Sequence, residues 1–226
     1  MPIARSDIGI VAAFAALYIL WGSTYLAVAE ALRTIPPFLL MGTRSVAGGV
    51  ILLLCARLAG GRMGTVKSWI HATIYGALFF VGCHGVLACA QQRTPSGLAV
   101  VLATIPFWIT LLKAMLPGDG RPAIGTLGLL LPGLAGVGLI ALQQMDAGTA
   151  GASIGDILLL LGAAASWAVA TVLSERDADP VSPVALSGME LATGGLMLLV
   201  LSVSLGETDR FDPAGVSLVS LGAGST

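Results

Sequence analysis

The chain of 226 residues has too few charges to cover a water-facing surface. Hydrophobic residues make up 56% of the sequence and charged residues only 10%, whereas a soluble domain carries about 25% charged residues. The mean hydropathy is +0.94, and the 30 glycines are typical of membrane helices, where glycine lets two backbones approach closely. The composition therefore predicts an all-α integral membrane protein surrounded by lipid and excludes the soluble classes.

Charge and cysteine usage exclude two further classes of partner. The formal net charge of -1 gives no basic field, so we expect no nucleic-acid partner. The three cysteines, Cys55, Cys83 and Cys89, all lie in apolar runs, without a CxxC pair or clustered histidines. We therefore expect them to be small packing residues, with no metal site and no cofactor.

Seven apolar runs are long enough to cross a hydrocarbon core about 30 Å thick. They cover residues 8–29, 37–58, 69–90, 95–116, 123–143, 154–174 and 183–205, and an eighth begins near Pro213. Short breaks rich in proline, glycine and arginine separate them. The first run loosely resembles a secretory signal, but its spanning length favours a membrane helix.

The distribution of basic residues predicts the orientation of the chain in the membrane. The larger group falls on one side of the predicted spans, at Arg5, Arg57, Arg62, Lys67, Lys113, Arg121 and Arg176. The smaller group, Arg33, Arg93 and Arg210, falls on the other side. Because cytoplasmic loops carry the excess of lysine and arginine, we expect a multi-pass protein of the cytoplasmic membrane with a cytoplasmic N-terminus.

An ungapped internal repeat appears when the chain is shifted by 146 residues. The shift superposes Trp21 on Trp167, Pro37 on Pro183, Gly42 on Gly188, and Gly48 and Gly49 on Gly194 and Gly195. We infer a first five-helix repeat over residues 1–150 and an incomplete second repeat over residues 151–226. Five is an odd number, so the second unit enters the membrane with the opposite orientation.

An inverted repeat of this kind is typical of secondary transporters. In such proteins the substrate lies near the midplane between the two units, and rocking one unit against the other gives alternating access. By extrapolation from the first unit, we expect a complete version to contain ten helices and to extend to about residue 290, so that the given chain is a fragment or a truncated product.

Short motifs in a fixed order resemble the EamA-type exporters of the drug/metabolite transporter superfamily. The motifs are Trp21-Gly22-Ser23-Thr24-Tyr25, Pro36-Pro37 followed by Arg44, the glycine-rich run from Gly133 to Gly138, Ser166-Trp167-Ala168, and Ser182-Pro183. The resemblance covers essentially the whole chain. It implies ten helices in two units and export of small metabolites, amino acids or drugs without an ATP-binding domain.

Two charged residues inside predicted spans are the first candidates for substrate binding. Arg44 and Glu190 each lie seven residues into a span, and the 146-residue shift makes them repeat mates of opposite sign. A charge within the bilayer costs at least about 2.5 kcal/mol and therefore tends to face a cavity or a partner. Arg44 would attract a carboxylate, while Glu190 would contact an amine or accept a coupling proton. The alternative is that each simply pairs with another helix or reaches the headgroups.

One histidine and three aromatic residues complete the candidate set. His84 is central in the third span, where it either relays protons or only bonds between helices. Trp21, Tyr25 and Trp167 either line an apolar cleft with faces suited to an amine or anchor the membrane interface.

Other polar and helix-breaking residues are expected to be structural. Asp156 suits the positive end of the sixth helix, and His71 is expected to be solvated near an interface. Pro106 and Pro132 are predicted to interrupt the fourth and fifth helices.

The sequence favours one of three function classes over the other two. An enzyme is not expected, because the chain has no HExxH, GxSxG or Walker lysine motif and no clustered carboxylates. A secondary transporter of a small molecule, with proton coupling as one option, is the preferred hypothesis. The alternative is an inactive truncated relic or a noncatalytic membrane scaffold.

Overall fold

The computed structural model describes residues 5–94, 99, 101–102, 104–116, 124–146, 153–177 and 180–211. All regular secondary structure in these residues is helical. The helices are α1 (Arg5–Ala31), α2 (Pro37–Leu58), α3 (Val66–Gln91), α4 (Ile105–Met115), α5 (Ile124–Asp146), α6 (Ile154–Glu175), α7 (Pro183–Ser204) and α8 (Glu207–Arg210). The predicted eighth run near Pro213 lies outside the described residues.

Four of the described helices are long and apolar enough to cross a membrane. These helices are α2, α3, α6 and α7, with 22, 26, 22 and 22 residues. Large apolar side chains such as Leu54, Val200 and Val203 are exposed on their outer faces, as lipid-facing surfaces require. The all-α membrane class predicted from composition is confirmed, while the full number of spans stays a prediction.

Local sequence signals explain where these helices begin. Proline lies at the first position of both α2 and α7, where its missing N–H costs nothing. The Ser182 hydroxyl accepts a hydrogen bond from the backbone N–H of Ala185 and so caps α7. Ser153 and Asp156 form a reciprocal capping box at the start of α6, which confirms the structural role expected of Asp156.

The fourth predicted helix is too long at its N-terminal end. The apolar run predicts a helix over residues 95–116, but α4 begins only at Ile105 and has 11 residues. Positions 99, 101, 102 and 104 form tighter 3₁₀ turns. Pro106 lies in the first turn of α4 and does not interrupt it, because a proline is tolerated there and not in a helix interior. Pro132 lies inside α5, which continues past it.

The closest helix packing joins α2 to α7, and glycine makes it possible. An ideal Cβ placed on Gly49 would lie 2.6 Å from the backbone nitrogen of Ala192, and one placed on Gly195 would lie 2.7 Å from that of Val46. Without side chains at these positions, the two backbones meet directly.

A second pair of contacts shows how α2 and α7 run relative to each other. Gly42 packs against Leu199, and Gly188 packs against Leu53. The early part of each helix therefore contacts the late part of the other, so the helices are antiparallel. The 146-residue shift converts each of these contacts into the other, because Gly42 corresponds to Gly188 and Leu53 corresponds to Leu199. A two-fold axis between two helices produces reciprocal contacts of this kind.

The helix α3 packs against both α7 and α6. Gly76 lies against the backbone of Glu190 and Gly194, and the Thr193 hydroxyl donates to the carbonyl of Ala72 over 3.3 Å. A buried apolar cluster that includes Cys83, Val101 and Leu160 joins α3 to α6 and to the segment before α4.

A buried carboxylate caps the N-terminus of α2 from the far end of the chain. Glu207 is 8% exposed and accepts hydrogen bonds from the backbone N–H groups of Phe38 and Leu39, at 3.4 and 3.0 Å. An anion is favourable at this end of a helix dipole. At the start of α7 the corresponding contact is between backbones, where the Ser182 N–H donates to the Arg62 carbonyl over 3.1 Å.

The two adjacent glycines of α2 give a direct test of the glycine packing. Gly49→Ala should destabilise the fold by about 1–3 kcal/mol, because the new methyl group overlaps the backbone of α7. Gly48→Ala is the matched control, since a Cβ there meets no atom within 4 Å. Thermal unfolding in detergent should give a lower midpoint for Gly49→Ala than for the native chain, and no decrease for Gly48→Ala. Equal midpoints for the two variants would contradict the close contact.

Candidate functional site

A cavity of about 770 Å³ opens between α2, α3, α6 and α7. It is lined by Met41, Arg44, Ser45, Ala47, Gly48 and Ile51 from α2, by Phe79, Phe80 and His84 from α3, by Trp167 from α6, and by Ser187, Glu190 and Leu191 from α7. Its volume is in the range of small-molecule sites. Most of its wall is apolar, and few polar groups project into it.

The structure brings four of the six candidate substrate-binding residues to this one cavity. Arg44, His84, Trp167 and Glu190 all line it, although they come from four different helices. The side chains of the other two candidates, Trp21 and Tyr25, lie outside the described part of the structure.

The two charged residues enter the cavity at different levels. The contacts of Gly49 with Ala192 and of Leu53 with Gly188 place Glu190 opposite position 51. Position 51 is seven residues from Arg44, or about 10 Å along the helix axis. Within the described residues, no ion pair or hydrogen bond joins Arg44 to another group. Glu190 is 8% exposed, and its Oε1 accepts a long hydrogen bond of 3.4 Å from the Ser174 hydroxyl.

Four rings form a continuous aromatic wall beside these charges. The ring of His84 stacks on Phe80, with centroids 5.2 Å apart and planes 11° apart. Trp167 meets His84 edge to face at 5.2 Å and Phe79 at 4.7 Å. We call Phe79, Phe80, His84 and Trp167 the aromatic wall. Phe79 and Phe80 could not be selected from the sequence, because two phenylalanines in an apolar span look like ordinary lipid-facing or core residues.

The middle of α3 is a π-helical segment, Ala77–Gly85, flanked on both sides by ordinary α-helix. This segment carries three of the four residues of the aromatic wall. The Nδ1 atom of His84 lies 3.0 Å from the carbonyl of Phe79, five residues earlier. A carbonyl can only accept, so Nδ1 donates. Short π-helical insertions are often found at functional sites.

These groups are suited to a small solute that carries charge. Aromatic faces and a carboxylate attract an ammonium group, whereas a guanidinium binds a carboxylate with two parallel hydrogen bonds. Within the described residues, no group of three His, Cys, Asp or Glu side chains is arranged to hold a metal ion. The described cavity therefore combines one guanidinium, one carboxylate and several aromatic faces.

His71 is not simply solvated, as the sequence had suggested. Its Nδ1 lies 2.6 Å from the Asp177 carboxylate, and the Tyr75 hydroxyl donates to the same oxygen over 3.0 Å. The bonds join α3 to the connection between α6 and α7. The sequence alone could not pair these residues, because they are about 100 positions apart.

Two adjacent residues of α2 test whether water fills the cavity. Ile51 is 59% exposed and lines the cavity, whereas Val50 is 47% exposed and does not line it. In a chain with the three cysteines changed to alanine, Ile51→Cys should react with a charged methanethiosulfonate reagent, since thiolates form in water. Val50→Cys should remain unmodified in lipid. Mass spectrometry after reaction in proteoliposomes measures the modified fraction of each variant. Equal modification of the two variants would contradict a water-filled cavity.

Comparison with known proteins finds relatives that are named as transporters. It is 33% identical over 194 residues to the "Uncharacterized inner membrane transporter YedA" of Escherichia coli (strain K12), with 85% of this chain and 61% of YedA covered. It is 30% identical over 220 residues to the "Uncharacterized transporter sll0355" of Synechocystis, with coverages of 88% and 63%. The chain therefore spans a little over 60% of the length of these two relatives.

A solved crystal structure resembles the fold at 22% identity, with a TM-score of 0.56 over 93% of this chain and 79% of the other. At that identity the likeness concerns the fold alone. Residues 7–142, more than half of the sequence, match the family described as "EamA-like transporter family", as the motifs of the first, second and fifth predicted helices implied. This multi-pass membrane chain belongs to the EamA-like transporter family.

Proposed function

We propose that the protein is a secondary transporter that exports small metabolites, amino acids or drugs across the cytoplasmic membrane by alternating access. One observation carries the proposal: a single cavity between α2, α3, α6 and α7 contains Arg44, Glu190 and the aromatic wall. The names of the relatives as transporters support the same class.

The proposed architecture is an inverted repeat, with a first unit over residues 1–150 and a second beginning at 151. The reciprocal contacts between α2 and α7 support it, because Gly42 with Leu199 and Leu53 with Gly188 are related by the 146-residue shift. In this arrangement the N-terminus is cytoplasmic and the cavity lies between the two units, where alternating-access transporters bind their solutes.

The proposed solute is a small organic ion with an amine, and an amino acid offers a partner to both charged groups of the cavity. Glu190 and the aromatic wall would hold the ammonium group, and Arg44 would hold the carboxylate across the difference in level. The long side chain of arginine can cover much of that gap. In a proton-coupled cycle, Glu190 would instead take up the coupling proton when the amine leaves, and His84 would relay it.

Three solutes with the same apolar part separate the roles of the two charges. They are leucine, isopentylamine, which lacks the carboxylate, and 4-methylpentanoate, which lacks the amine. With the purified chain in proteoliposomes, we expect Arg44→Ala to raise the KM for leucine by about tenfold or more and to leave isopentylamine unaffected. A charged hydrogen bond contributes about 1.5–3 kcal/mol, which corresponds to this range. Glu190→Gln should impair the transport of leucine and the transport of isopentylamine to the same degree.

Exposed residues that carry the same charges provide the controls. Arg57→Ala, at the end of α2, and Asp209→Asn, in α8, change a charge outside the cavity and should leave all fluxes unchanged. If Arg44→Ala and Glu190→Gln both retain native flux, neither residue belongs to the mechanism. If the unmodified chain moves none of the three solutes, the result favours the relic or scaffold alternative.

A further inference from the structure

The geometry of the aromatic wall depends on the π-helical register of α3. In an ordinary α-helix, residues five apart lie about 140° apart around the axis. Phe79 and His84 are five apart, yet both rings contact Trp167, and His84 bonds to the Phe79 carbonyl. The wider π-helical turn brings the two residues to the same side of α3. A return to the α-helical register would separate them and dismantle the wall.

One side chain of α6 is in direct contact with the backbone of this segment. The Ser166 hydroxyl donates to the carbonyl of Leu78 over 2.9 Å. Ser166 also occupies the space left by the missing side chain of Gly82, because a Cβ on Gly82 would overlap its hydroxyl oxygen. The described contacts therefore attach α6 to two positions of the π-helical segment.

The next residue along α6 contributes to the aromatic wall itself. Ser166 fixes the backbone of the segment, while Trp167 packs between Phe79 and His84. The hydrogen bond from Ser166 therefore links the register of α3 to the position of the Trp167 ring.

We infer that Ser166 is a positioning residue for solute binding, whose hydroxyl holds the π-helical register of α3 and so keeps the aromatic wall on the cavity. It acts through Phe79, His84 and Trp167 and does not itself line the cavity. The expected effect of Ser166 on flux rests on the proposed transport function. Its effect on the register of α3 can be tested without measuring transport.

The structural part is tested by the reactivity of position 84 in a chain with the native cysteines changed to alanine. His84→Cys should react with a water-soluble maleimide when Ser166 is present, and at least about fivefold more slowly in the Ser166→Ala background, because the segment rotates the thiol away. Ile51→Cys lines the same cavity from α2 and should react equally in both backgrounds. Equal rates at position 84 in the two backgrounds, or no reaction in either, would overturn the inference.

The functional part is tested by leucine flux in proteoliposomes. Ser166→Ala should raise the KM by about fivefold, the effect of one neutral hydrogen bond, and leave the maximal rate within about twofold. Thr171→Val is the matched control, because the Thr171 hydroxyl bonds only to the Trp167 carbonyl of its own helix in the described structure. This variant should behave like the native chain, and an equal rise in its KM would point to general damage to α6.

Gly82→Ala provides an independent variant that keeps the serine. Its new methyl group displaces the Ser166 hydroxyl, so it should reproduce the raised KM. The double variant Gly82→Ala with Ser166→Ala should be no worse than the poorer single variant, since both changes break the same contact. Additive effects would contradict a shared contact. If the reactivity of a cysteine at position 84 depends on Ser166 but no variant changes the KM for leucine, Ser166 positions the aromatic wall and the proposed solute site is wrong.

Discussion

The close approach of α2 and α7 is the constraint on which the described structure depends. Inside a bilayer, helices gain no hydrophobic energy by associating, since the lipid tails are as apolar as leucine. Direct packing must take its place, and Gly42, Gly49, Gly188 and Gly195 make it possible by removing side chains at the crossing. Next to this contact the helices expose Arg44 and Glu190 to a common space. The glycines thus permit the direct contact between the two helices, and the cavity lies beside that contact.

Polar contacts near the helix ends join the same bundle of helices that the glycines allow to pack closely. Glu207 holds the start of α2, the Ser182 N–H joins the start of α7 to the loop after α2, and Asp177 receives hydrogen bonds from two side chains of α3. Each contact links segments that are more than 100 residues apart in the sequence. Between these ends the cavity wall is mainly apolar, so its few charged groups have little competition from neighbouring polar atoms for a solute.

Much of the fold could be predicted from the sequence, because membrane helices are specified locally. Six of the predicted runs differ from the described helices by at most three residues at either end, since proline, serine and glycine mark the ends where the apolar runs stop. The fourth run failed because hydropathy alone does not distinguish an α-helix from the tighter turns that precede Pro106.

The candidate site was partly predictable for a different reason. Charged residues in an apolar span are conspicuous, so Arg44, His84 and Glu190 could be selected without coordinates. The π-helical segment could not, because Ala77–Gly85 has no residue that requires it; the segment is fixed by tertiary contacts with α6. Phe79 and Phe80 acquire their position from that segment, and His71 acquires its partner from the fold.

The opposite signs of Arg44 and Glu190 have a consequence for how such a cavity can arise. Two identical subunits crossing with the same antiparallel geometry would place the same residue at both positions, and two like charges in one apolar space repel each other. In the proposed inverted repeat the two halves have different sequences, so each position can change independently. Divergence of the two proposed halves would therefore permit a polar axis across the cavity, with a cationic end and an anionic end, that a symmetric pair of identical subunits cannot have.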